Sequence, residues 1–225
     1  MIFKYITIIF ILISKLSLAQ AENLECGSLK NGFGPYDYRT EKGSSLELVE
    51  SAHFTQQVEM LISATTGYIG GDIDYTLRAF PNHHRALMSV MRYGEKTKSA
   101  KPPSMKYTVE CYFDRAIRFR PDDAITRMIY SIYLAKNNRT PEALQQLDVA
   151  GDGIDLQENA FTHYNLGLSY FDLKEYDKSA IHAHKAYRLG FPQTALKDKL
   201  KSVGKWIELE AELPNDSAST STPLN

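Results

Sequence analysis

The stretch Thr162-His-Tyr164-Asn165-Leu166-Gly167-Leu-Ser-Tyr170-Phe171-Asp-Leu-Lys-Glu-Tyr176-Asp177-Lys-Ser179-Ala180, followed by Ala186 and Pro192, decides the fold class. Two helical segments are read from it, over residues 159–173 and 175–189. Leu166 and Tyr170 stand one turn apart, on the face that must be buried. Gly167 and Ser179 are small where the two helices would touch, and Ala186 leaves room for a further element. Gly190 and Pro192 end the second helix. One such pair cannot bury both of its faces, so neighbours of the same kind are required.

Working outward, small residues recur at Ala116, Ala150 and Ala186, 34 and 36 residues apart. In the preceding unit Ser131 takes the place of Gly167, Leu134 that of Tyr170, and Ala143 a second small-residue place. One unit earlier, Phe113 to Pro121 reads as a second helix. Its first helix, around Leu87, Met88 and Met91, is set apart by an insert containing Pro102-Pro103. This pattern resembles the tetratricopeptide repeat. The strings Gly34-Pro-Tyr-Asp-Tyr-Arg39 and Asp74-Tyr-Thr-Leu-Arg-Ala-Phe-Pro-Asn-His-His-Arg-Ala-Leu87 resemble a family of exported bacterial proteins with such repeats at the C-terminus. The resemblance implies an all-α fold: about three helix pairs wound into a right-handed superhelix over residues 72–192. It implies a C-terminal capping helix over 193–213, bearing Lys197, Lys199, Lys201 and Lys205, with Trp206 packed inside. Residues 22–71 would form an irregular arm and a first helix. No particular reaction comes with the resemblance.

The 225 residues include 26 basic and 27 acidic side chains, with 43% hydrophobic and 24% charged residues. That balance argues against a cationic nucleic-acid binder and against an acidic disordered chain. Residues 1–21 read as a secretory signal peptide. Lys4 supplies the positive start, an apolar run follows to Ile13, and Leu18-Ala-Gln-Ala21 gives small residues for cleavage after Ala21. The run is about half the ~20 residues of a membrane span. The expectation is therefore a periplasmic or secreted protein with no stable membrane span after cleavage. Residues 214–225, rich in Ser and Thr, read as a disordered tail. Cys26 and Cys111 are the only cysteines. After export they are expected to pair rather than remain as two buried thiols, since an oxidising compartment favours the disulfide.

The remaining elements are read from pattern. Phe54, Val58, Leu61 and Ile62 predict an amphipathic helix over 54–62, broken by Gly67, Gly70 and Gly71. A short turn is expected over 72–80, then helices over 82–92, 105–119, 124–135 and 142–149. Asp122 or Asp123 would cap the third of these and Thr140 the last, with Pro141 in its first turn.

No combination of residues points to a cofactor, a metal or a catalytic set. The six histidines lack the i, i+4 spacing with a carboxylate that a helical zinc site uses. His83, His84, His182 and His184 are read as surface or capping residues. Asp148, Asp152, Asp155 and Glu158 around Gly151 and Gly153 partly match a calcium loop but lack two of its ligand positions; a helix-to-helix connection is the better reading. Arg115, Arg118 and Arg120 could bind an anion or could form a solvated helix face, and the second is favoured.

What remains is the inner surface lined by the first helix of each pair. Its register offers Arg85, Ser89 and Arg92 from the first pair, Met128, Ile132 and Lys136 from the second, and Tyr164, Asn165, Leu168 and Phe171 from the third. Such a groove suits a protein or peptide partner in the cell envelope, unless residues 22–45 fill it. The expected function is a non-catalytic scaffold or adaptor that helps assemble a larger complex. The alternative is a carbohydrate-binding accessory or an enzyme. Its site would lie where residues 34–39 meet 72–87, with Asp37, Asp72, Asp74 and Arg85 converging.

Overall fold

The computed structural model describes residues 26–154 and 159–208. The expected signal peptide, the expected C-terminal tail, and Asp155 and Glu158 lie outside the described residues. Among the described residues the protein is all-helical, with no strand. The helices are α1 (Ser44–His53), α2 (Gln56–Glu59), α3 (Ile69–Ala79), α4 (His84–Thr97), α5 (Val109–Phe119), α6 (Ala124–Lys136), α7 (Thr140–Ile154), α8 (Ala160–Asp172), α9 (Tyr176–Arg188) and α10 (Ala195–Ser202).

Four of these begin alike. The side chains of His83, Thr108, Asp123 and Asn159 accept hydrogen bonds from the backbone N–H groups of Ala86, Cys111, Thr126 and Thr162, capping α4, α5, α6 and α8. Two of them also end alike. After α6 and α8 the chain turns through a left-handed residue, Asn138 at φ 61° and Lys174 at φ 63°, and folds straight back into α7 and α9. These two hairpins have the most extensive helix–helix contacts in the molecule, and α4, α6 and α8 touch in succession. Ser179 Oγ donates to the Gly167 carbonyl at 2.7 Å, and a Cβ on Gly167 would sit 2.7 Å from Leu196 Cδ2. The small residues thus stand at close helix contacts. Ser131, Ala143, Ala150, Ala183 and Ala186 are all buried.

The core divides along the chain. A large N-terminal cluster gathers Phe54, Val58, Leu61, Ile73, Leu77, Leu87, Val90, Val109, Tyr112 and Phe113. A middle cluster joins Met128, Leu147, Leu166 and Tyr170. The C-terminal cluster holds Tyr164, Ala183, Ala186, Leu196 and Leu200, with Trp206 packed against it. Trp206 stacks on His184 at 4.0 Å between ring centres.

Several boundaries differ from the sequence reading. Residues 44–53 form a helix, because Leu46 and Val49 share a face that is buried with Ala79 and Phe80. The expected helix over 54–62 is reduced to α2, four residues long. Leu61 adopts φ 58° and leaves the helix, although Phe54, Val58 and Leu61 are all buried as expected. Gly70 and Gly71 do not break a helix; they lie in the first turn of α3. α7 continues through Gly151 and Gly153 to Ile154, and α10 spans only eight residues of the expected capping helix.

Candidate partner-binding cleft

The arm is held by ionic and covalent contacts. Cys26 and Cys111 form a disulfide. Beside it Arg115 is 1% exposed. It donates to the carbonyls of Cys26 at 3.0 Å and Ser28 at 2.7 Å, while lying 4.4 Å from the centre of the Tyr107 ring. Arg118 donates to the Gly27 carbonyl at 3.1 Å and to Asp114 at 2.7 Å. Arg120 reaches Asp37 at 2.6 Å. The three arginines therefore form neither an anion site nor a solvated face; they dock the arm on α5.

Asp37 also accepts from Arg39 and from Asn82. Burial pushes its carboxyl up, but the hydrogen bonds from Arg39, Asn82 and Arg120 outweigh this and hold it well below the usual range. Asn82 bridges to Asp123 at 2.8 Å, and His84 Nε2 lies 2.9 Å from the same carboxylate. Asp123 is likewise pushed up by burial and held low overall by the hydrogen bond and charge of His84 and by the Thr126 and Asn82 donors. One cap thus joins arm, α4 and α6.

The four residues of the alternative site are each engaged within the fold and share no hydrogen-bond partner. Asp37 serves the network above. Asp72 accepts from Thr65 N at 2.7 Å, from Thr66 and from His53. Asp74 accepts from Arg78 at 2.8 Å and from the Tyr112 hydroxyl. Arg85 donates to Glu59 and Glu50. Of the histidines read as surface or capping residues, His83 caps α4, and both His83 and His182 are buried rather than exposed. His83 is fully buried, its Nδ1 accepting from Ala86 N and its Nε2 donating to Glu50 at 3.0 Å. His182 is stacked between Tyr170 and His163. Asp148, expected in a helix-to-helix connection, lies within α7 and accepts from Tyr170 and Lys178.

The inner-surface residues separate into three groups. Ser89 is buried, whereas Arg85 and Arg92 stay exposed, and all three hydrogen-bond to Glu59 in the segment 55–62 rather than to the arm. Tyr164 is buried, stacked 4.2 Å from Phe191, and Phe171 packs on Tyr176. Met128, Ile132, Lys136, Asn165 and Leu168 come together. They line a cleft of about 510 Å³ between α6 and α8, completed by Ile125, Ile129, Phe161 and Asp172 among others. Ile132 and Phe161 are 37% and 58% exposed. Lys136 stands at one end, 2.8 Å from Glu95. Phe161 and Ile125 were missed in the sequence because each lies in the first turn of its helix, one turn ahead of the residues singled out. The N-cap positions, once located, would have found them. The cleft offers apolar contact and a few polar groups, the lining of a site that takes an apolar ligand or segment.

Neither a comparison with known protein families nor one with curated proteins finds a match for this chain. Among the described residues no helix is long and apolar enough to cross a membrane.

Proposed function

We propose that this is an exported, non-catalytic scaffold of the tetratricopeptide-repeat type. It works in the periplasm or as a secreted protein and holds an apolar segment of another envelope protein or peptide in the cleft between α6 and α8. The observation that carries this reading is the cleft itself, where large apolar side chains of two adjacent inner helices stay exposed to solvent while the small residues behind them are buried. Exposed apolar surface gathered into one concave patch marks a place of interaction. The repeat reading is supported by the two matching hairpins and by the short turn, with its left-handed residue, that each makes. Export is supported by the disulfide.

A photo-crosslinking residue at Ile132 tests the reading in cells. A discrete adduct is expected there, absent when the probe replaces Asp152 on α7 and lost when Leu168→Glu is added. The same adducts from both positions, or none at Ile132, would overturn it.

A further inference from the structure

The chemistry of the occupant can be read from the molecule's own contacts; this inference rests on the cleft being a docking site. The first inner helix is not bare. Residues 55–62, carrying α2, lie along α4. Ser89 Oγ donates to the Glu59 carbonyl at 3.1 Å, Arg92 to the same carbonyl at 3.3 Å, and Lys96 Nζ to the Leu61 carbonyl at 2.9 Å. Arg85 Nε holds the Glu59 carboxylate at 2.9 Å, and that hydrogen bond keeps the carboxyl below its ordinary range.

Counting from the N-caps His83, Asp123 and Asn159 puts the three inner helices in one register. Arg85 on α4 then corresponds to Ile125 on α6 and Phe161 on α8. Arg92 corresponds to Ile132 and Leu168, and Lys96 to Lys136 and Asp172. Every one of these α6 and α8 residues lines the cleft. The cleft therefore continues the face of α4 along which residues 55–62 run, and its occupant meets the corresponding helix positions with different side chains.

We infer that the cleft takes a short helical segment of the partner protein, laid as residues 55–62 are laid but with an aliphatic residue where this chain has Glu59. Replacing Arg85 and Arg92 by Ile125 and Ile132 removes the cations that hold Glu59. A carboxylate set against Ile125, Ile132 and Phe161 would be desolvated without a partner. An aliphatic side chain at that place buries apolar surface instead. Lys136 keeps the place of Lys96. Glu95 uses one of its three donors, which leaves the ammonium able to donate to the last carbonyls of a helical turn.

Two fluorescein-labelled peptides test this against the full chain by anisotropy: a copy of residues 53–64, and the same peptide with Glu59→Leu. Both are short and equally marginal as helices, so the ratio of affinities is the readout. The Leu peptide is expected to bind at least tenfold tighter than the copy. Ile132→Glu in the protein should weaken the Leu peptide at least tenfold, and Ile132→Arg should reverse the preference. Ile132 is partly exposed, and an unchanged melting temperature shows that both variants fold; if either does not, the same substitutions at Phe161 replace them. Equal affinities, no binding of either peptide, or a preference that Ile132→Arg leaves unchanged would overturn the inference. An adduct at Ile132 in cells without a peptide preference would leave the docking reading standing and remove only this one.

Discussion

Gly70 illustrates how one residue type carries opposite meanings. In the sequence it sits beside Gly71 and reads as a helix breaker. In the fold it lies inside α3, because a Cβ there would stand 2.0 Å from the Pro103 carbonyl oxygen. The glycine admits the loop between α4 and α5, a long-range contact that no local pattern contains. Gly70→Ala is expected to cost about 1–3 kcal/mol, the range for forcing an extra methyl into a packed site, measured as a lower urea midpoint with unchanged slope. Lys174 presents the reverse case. It holds φ 63° in the turn between α8 and α9, a conformation that costs a side-chain-bearing residue roughly 1–2 kcal/mol. Lys174→Gly should stabilise the protein by about 0.5 kcal/mol, after the extra chain entropy of glycine is subtracted. Equal or lower stability by thermal melting would contradict this.

At the scale of elements, the junction of arm, α4 and α6 turns on Asp123. Its carboxylate caps α6 through Thr126 N, accepts from Asn82 and faces His84. Asp37, Asp72 and Asp123 are all held below the ordinary carboxylate range in the folded state. The folded chain therefore binds fewer protons than the unfolded one around pH 4. The stability they supply is complete above the unfolded value of about 3.9 and is lost as pH falls through the lower folded values. Asp123→Asn keeps a capping oxygen but removes the charge facing His84. It should cost about 1–3 kcal/mol at pH 7 and flatten the fall in stability between pH 5 and pH 3, followed by urea titration at each pH. The caps of α6 and α8 were legible, Asp123 as one of two candidates and Asn159 as the residue opening its helix. The arm's docking was not. Arg115 and Arg118 on α5 and Arg120 just past it read as a solvated face, and nothing local shows that backbone carbonyls and the Asp37 carboxylate more than 80 residues away would engage them.

For the whole molecule, the all-helical character was legible because small and large residues alternate at helical spacing in the C-terminal half, where each hairpin is closed by a short turn. The N-terminal half was less so. α1 and α2 are held by side chains from α3 and α4 rather than by their own propensity, and α2 is too short to show a period. The cleft was half legible: α6 and α8 supply its walls as expected, whereas the segment covering α4 depended on Leu61 leaving the helix. The disulfide encloses most of the N-terminal half, with a sequence separation of 85 residues. Loop-closure entropy gives about 4–5 kcal/mol for such a link. Reduction, or a Cys26→Ser, Cys111→Ser double variant, should lower unfolding free energy by up to that amount. A loss below 1 kcal/mol would show that Arg115 and Asp37 fix the arm unaided.

The same sulfur link governs how the protein bears a mechanical load. Tension arriving through the chain ahead of Cys26 passes across the bridge to Cys111 on α5. The backbone from residue 27 to 110, with α1 to α4, hangs as an unloaded loop. A tether pulled at that end would draw first on α5 and the hairpins beyond it, sparing the helices that come earlier in the chain.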